Sequence, residues 1–247
     1  MLKKCYLLLV ASVLFVQGSV LAQISTSITP KSFELTNLIE KSALPQKQMP
    51  SFDKMAVEEE DLEDEAAGLP PRFGYPFEVN YNLKNSGLWE DLDNGDRIWR
   101  LTIRAKAAKS INLLYNDFFI PKGAHLHIYN GDKQQIIGAF TSINNKVDGK
   151  FATGLVYGEE STLEYYEPAE VRGEGQINVG TVIHGYRYIP DPKSMMSSYN
   201  SSGSCNINTI CSEGDDWRDE IKAVGLMLIG GSRWCSGALY GNATGDC

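Results

Sequence analysis

Between Trp99 and Lys106 apolar and polar residues alternate without a break. Trp99, Leu101, Ile103 and Ala105 stand against Arg100, Thr102, Arg104 and Lys106. A period of two places all the apolar side chains on one side of an extended chain, so the segment predicts a strand with one buried face. Asp93-Asn94-Gly95-Asp96, just ahead of it, supplies the residues of a turn. Further apolar runs follow at Ile111 to Ile120, Ala124 to Tyr129, Gln135 to Phe140, Phe151 to Tyr157, Ser161 to Tyr166 and Ile177 to Tyr188. Pro121 closes the first of these and Asn130-Gly131-Asp132 the second. About seven or more short strands with this turn spacing predict an all-β fold, an antiparallel β-sandwich over residues 73–190.

The pattern differs on either side of this region. Lys3 and Lys4 precede an apolar run from Tyr6 to Val16 and the small residues leading to Ala22, which predicts a signal peptide over residues 1–22 and a secreted product. The apolar run is shorter than the roughly 20 residues of a membrane span, so no stable membrane anchor is expected. Residues 23–72 are rich in Ser, Thr, Lys and Pro and then turn acidic from Glu58 to Glu65. They predict a mostly extended lead-in, with a short helix between Ser32 and Lys41 and a solvated acidic block. Residues 191–204 lack any apolar period and predict an exposed linker. In 205–247, Ile221 to Ile229 meets Gly230-Gly231-Ser232 and the chain returns from Trp234 to Tyr240, which predicts a hairpin. Two strands alone are marginal in water, so this hairpin needs more sheet around it.

The net charge of −8 argues against a nucleic-acid partner, because an acidic surface repels phosphates. Cysteine usage separates the two halves: Cys205, Cys211, Cys235 and Cys247 all lie in the tail, whereas Cys5 leaves with the signal peptide. Export places the four where disulfides persist. Without a Cys-x-x-Cys pair or a nearby histidine, metal binding by them is disfavoured.

Three tail segments together resemble the start of the mature domain of lysyl endopeptidases, a bacterial branch of the chymotrypsin-like serine proteases. They are Ser202-Gly203-Ser204-Cys205-Asn206-Ile207, then Cys211-Ser212-Glu213-Gly214-Asp215 with Ile221-Lys222-Ala223-Val224-Gly225, then Cys235-Ser236-Gly237-Ala238-Leu239. Upstream, Gly95-Asp96-Arg97-Ile98-Trp99, Ile120-Pro121-Lys122-Gly123-Ala124 and Val182-Ile183-His184-Gly185-Tyr186 resemble the pro-region of such enzymes more loosely. The resemblance implies a truncated chymotrypsin-like β-barrel of which residues 205–247 supply the first hairpin. It implies peptide-bond hydrolysis by a Ser-His-Asp triad in the full-length parent, directed to lysine. In that family the histidine follows the strand cysteine by about twenty residues, beyond Cys247, so the chain is expected to hold no catalytic residue and to be inactive alone. The expected partners are the missing catalytic domain of the same protein and, in the parent, protein substrates. No cofactor is expected. Lys193 is the candidate maturation site. The resemblance pairs the counterparts of Cys205, Cys211 and Cys235 with cysteines further along; Cys205 with Cys211, and Cys235 with Cys247, remain open. No basic residue followed by Ile-Val-Gly-Gly is present, which departs from the activation site of trypsinogen.

Local candidates for chemistry are few. His125 and His127 share one strand face, as a His-x-His metal pair would, but no third ligand is evident and a surface pair is expected. His184 lies in the pro-region, too early to be the triad base. Asp91, Asp93 and Asp96 could form a calcium loop, although Asn94-Gly95 reads more simply as a turn. Ser204 beside Gly203 has no base near it and matches the mature start. The alternative to a protease precursor is a secreted β-sandwich binding module for a carbohydrate or surface partner, with Trp89 and Tyr75 as exposed contacts.

Overall fold

The computed structural model describes residues 28–189 and 211–238. The predicted signal peptide, Lys193, Ser204, Cys205 and Cys247 lie outside these residues. In chain order the elements begin with α1 (Lys31–Glu34), β1 (Gln46–Gln48), α2 (Lys54–Ala66), β2 (Gly74–Asn82), β3 (Leu88–Asp91) and β4 (Arg97–Arg104). Next come β5 (Ser110–Phe119), β6 (His125–Asn130), β7 (Ile136–Phe140), β8 (Phe151–Ala152), β9 (Val156–Tyr157), β10 (Glu160–Glu167) and β11 (Gln176–Gly185). The tail adds α3 (Arg218–Ala223), β12 (Val224–Ile229) and β13 (Arg233–Ala238).

Two sheets form the sandwich. The first runs β1-β4-β10-β6-β7, with β3 also on β4; the second runs β2-β11-β5-β8, with β9 also on β5. All pairings are antiparallel except β1 with β4. Register decides which residues meet in the middle. Leu101 lies opposite Leu163, which lies opposite Ile128, and Trp99 opposite Tyr165, opposite Leu126. With Leu113, Tyr115 and Val182 from the facing sheet, these residues form one buried cluster. The indole N–H of Trp99 donates to the Ser86 carbonyl at 2.7 Å, so the largest core side chain is also satisfied.

Strand β4 departs from the sequence expectation: it is buried on both faces. The outward row contains Arg100 opposite Glu164 opposite His127, and Thr102 opposite Thr162 opposite Tyr129. The lead-in roofs this row. The Ser32 amide donates to Glu164 at 3.0 Å, and the Ser32 hydroxyl and Tyr129 phenol donate to the same carboxylate. Arg100 donates to the Ile39 carbonyl at 2.7 Å and pairs with Glu90. Phe33 packs edge-on to Tyr129 at 5.0 Å. The buried Arg100, Glu164 and His127 thus each gain a partner from the roofing segment or its neighbours, which offsets their desolvation.

The mostly extended lead-in is likewise corrected, although the acidic block is largely solvated as expected, with Glu59, Glu60, Glu63 and Glu65 exposed. A short helix does occur as α1, but the acidic block folds as α2. Asp53 caps α2 by accepting from the amides of Met55 and Ala56, and the Ala, Glu, Met and Leu residues that follow favour helix. Val57 and Asp61, one turn apart, are its buried residues. Asp61 accepts from Arg72 at 2.7 Å, pairs with Arg187 at 2.9 Å and accepts from the Tyr186 hydroxyl at 2.6 Å. Burial first, and then the bond to Asp61, push the Tyr186 phenol upward. Arg72 also pairs with Glu60, Arg187 with Glu65 and Arg233 with Asp64, so guanidinium groups offset part of the block's self-repulsion in the fold.

Candidate functional site

The predicted hairpin is present as β12 and β13, although Ile221 to Ala223 belong to α3 instead. Gly230 and Gly231 turn it with φ of 56° and 76°, a conformation that side chains other than glycine resist. A Cβ on Gly231 would fall 2.7 Å from the Leu114 side chain, so the turn presses directly on β5.

The hairpin docks on the outer face of the second sheet. The Phe73 amide donates to the Ser232 carbonyl at 2.8 Å and the Trp234 amide to the Pro71 carbonyl at 3.1 Å, flanking an antiparallel bridge between Arg72 and Arg233. Arg233 donates to the Pro70 carbonyl at 2.7 Å and pairs with Asp64 of α2. Leu228 and Trp234 pack with Phe73, Ile183 and Leu114. Toward its other end the hairpin is bare: Val224 is 61% exposed, and Leu226 and Met227 are 48% exposed. Cys211 is exposed and Cys235 half-buried, and both are free thiols.

The three histidines are buried, which corrects the expected surface pair. His125 and His127 lie beneath the roofing segment with ring centroids 5.2 Å apart. His127 Nε2 is 2.8 Å from the Ile28 carbonyl, and His125 stacks on Tyr166. Burial, then the neighbouring His127 and Lys31, push His125 down to about 4; burial also lowers His127. Among the described residues no group of three or more His, Cys, Asp or Glu side chains is placed to hold a metal ion. Asp91, Asp93 and Asp96 do not converge. Asp91 pairs with Arg172, whereas Asp96 accepts from Tyr166, Asn94 and the Ala169 amide, and these bonds hold its carboxyl below the usual range. Asn94 and Gly95 form a turn, with the Gly95 amide donating to the Leu92 carbonyl at 2.9 Å and Gly95 at φ 89°.

Trp89 and Tyr75 are half-buried rather than free contacts. Arg97 lies over the Trp89 ring at 3.7 Å, and Tyr75 stacks on Phe52 at 4.5 Å. A different feature, without a sequence signal, stands beside Phe52: a cleft of about 870 Å³ between residues 48–54 and the β4–β5 connection. Met49, Phe52 and Tyr186 supply apolar lining; Lys54, Arg104, Lys106 and Lys109 supply positive charge. His184 also lines it, 6% exposed, and its Nδ1 has no hydrogen-bond partner. Ala107, between the two lysines, has φ 64°, a strained value for a residue with a Cβ.

No protein-family model matches the chain. Similar solved structures include PliG of Aeromonas hydrophila, a periplasmic inhibitor of g-type lysozyme. It is 12% identical, over 57% of this chain and 96% of that one, with a TM-score of 0.22. A family 35 carbohydrate-binding module from an environmental isolate is 14% identical, over 47% of this chain and 97% of that one, with a TM-score of 0.24. Likeness at this level carries no argument about activity or ligand.

Proposed function

We propose that this chain is the amino-terminal part of a secreted serine endopeptidase precursor, in which the sandwich is a pro-region holding the first hairpin of the protease domain. The observation that carries the reading is the docked hairpin. The segment with the protease-like Cys235-Ser236-Gly237 sequence is held by backbone hydrogen bonds, an ion pair and a small apolar cluster. Its far end leaves Val224, Leu226 and Met227 exposed, surface that a barrel continuing from it would cover. A pro-region with this contact would template the hairpin and hold it until the remaining strands arrive. The triad, and with it hydrolysis directed to lysine, belongs to the continuing domain, and cleavage after Lys193 would release the mature enzyme.

The test is the reading frame beyond the codon for Cys247. A continuing frame that soon encodes Thr-Ala-x-His-Cys supports the precursor, and a stop codon there overturns it. Mass spectrometry of the matured parent should find its amino terminus after Lys193; a terminus upstream of Phe73 would exclude the pro-region role. A second reading, a secreted sandwich that binds a ligand, is favoured by the cleft at His184, and the stop codon is the outcome that would select it.

A further inference from the structure

The cleft beside Phe52 is cationic within a chain of net charge −8. Its charges are unequally committed. Lys54 pairs with Glu58 at 3.2 Å, and Arg104 and Lys41 both pair with Glu160. Lys106 and Lys109 have no ion-pair partner among the described residues, and of the lining carboxylates only Glu159 lacks one as well. The two free ammonium groups flank the strained Ala107. Beside them the lining is apolar, with Met49 and Tyr186 buried and Phe52 half-buried. His184, also in the lining, keeps an unsatisfied buried nitrogen, and burial lowers its imidazole below the ordinary histidine range. Unpaired buried polar atoms are uncommon in folded proteins and call for a partner. A volume of this size suits a ligand of a few residues.

We infer that this cleft binds a short acidic peptide, with a carboxylate against Lys106 and Lys109, an apolar side chain against Met49 and Phe52, and a polar group bonded to His184. The lining favours a peptide over an acidic saccharide, because Met49 and Pro50 join Phe52 in an apolar wall that suits an apolar side chain better than a hydroxylated ring. The site belongs to the sandwich and holds whether the parent is a protease precursor or a binding module. Its failure is therefore distinct from failure of the precursor reading.

The probe is the capped tetrapeptide acetyl-Phe-Asp-Glu-Phe-amide, titrated calorimetrically into the full chain beside its uncharged counterpart acetyl-Phe-Asn-Gln-Phe-amide. The acidic peptide should bind about tenfold more tightly or better, since charge-assisted hydrogen bonds separate the two. The Lys106→Gln/Lys109→Gln variant should lose about the same factor. Both side chains are exposed, so its thermal midpoint should match that of the native chain, which separates lost binding from lost folding. Equal affinity for the two peptides, no binding of either, or an unchanged affinity in the double variant would overturn the inference. Binding of a uronic-acid oligosaccharide at these lysines without peptide binding would overturn it in favour of a saccharide site.

Discussion

The sandwich and the tail hairpin are both antiparallel β-structure rich in apolar residues, yet the sandwich strands are buried and the hairpin strands are not. In β4, six of eight positions are buried, from Ile98 to Ile103. In β12 none is, although its sequence Val-Gly-Leu-Met-Leu-Ile is the more hydrophobic. Hydrophobicity therefore does not set burial; the number of layers does. The first sheet has the second sheet on one side and the roofing segment on the other. Among the described residues the hairpin has a partner only near its turn, through Leu228 and Trp234.

The comparison can be broken most sharply at Trp99. Trp99→Ala should cost about 4 kcal/mol in denaturant unfolding, from lost burial and the cavity left behind, whereas Leu226→Ala, half-exposed in β12, should cost under about 0.5 kcal/mol. Comparable losses would mean that the hairpin is part of the core. Next in size is Asp61→Ala. It strips a buried carboxylate from Arg72, Arg187 and Tyr186 and should cost about 3 kcal/mol. The same variant should loosen the hairpin, because Arg72 and Asp64 lie on both sides of its docking point; faster hydrogen exchange at Trp234 would report this.

Acidification should loosen the roofing segment. His125 is held down to about 4 against 6.5 in the unfolded chain, so between these values the unfolded state binds more protons. Stability is then complete above about pH 6.5 and falls as the pH drops toward 4, by on the order of 3 kcal/mol from this group. Urea unfolding across that range should show the fall, and His125→Gln should flatten it. The smallest effect is expected from Arg233→Ala. It removes a partly exposed pair with Asp64 and should cost about 1 kcal/mol or less of global stability. Exchange protection should nonetheless fall selectively at Phe73, and an unchanged Phe73 amide would show that backbone bonds alone hold the hairpin.

Strand β4 was legible because strict alternation suits an extended chain and no helix, whose period of 3.6 would scatter the same residues around its axis, and most of the others because short apolar runs end at turn residues. The predicted run Ile111 to Ile120 is β5, and the hairpin turn follows from its glycines. Strands β1 and β3 escaped notice because each is three or four residues long and takes its pairing from β4; the nine-residue β2 was missed as well, since Pro76 interrupts its run and reads against a strand. In the acidic block the burial of Asp61 was not legible, because Arg72 and Arg187 reach its carboxylate only in the fold. The histidine pair misled because alternation assigns His125 and His127 to the outer face correctly, but a strand does not reveal that its outer face is roofed. The cleft joins residues from 48 to 186, and no local spacing connects them.

The sequence alone therefore determined the all-β class, the position of the main strands and the separate character of the cysteine-bearing tail, since periodicity and turn residues act over a few neighbours. Tertiary structure decided which polar residues would be buried, where the hairpin would dock and that a cationic cleft would form. Those outcomes depend on charges and surfaces far apart in the chain, and their energies exist only once the sheets have closed on one another.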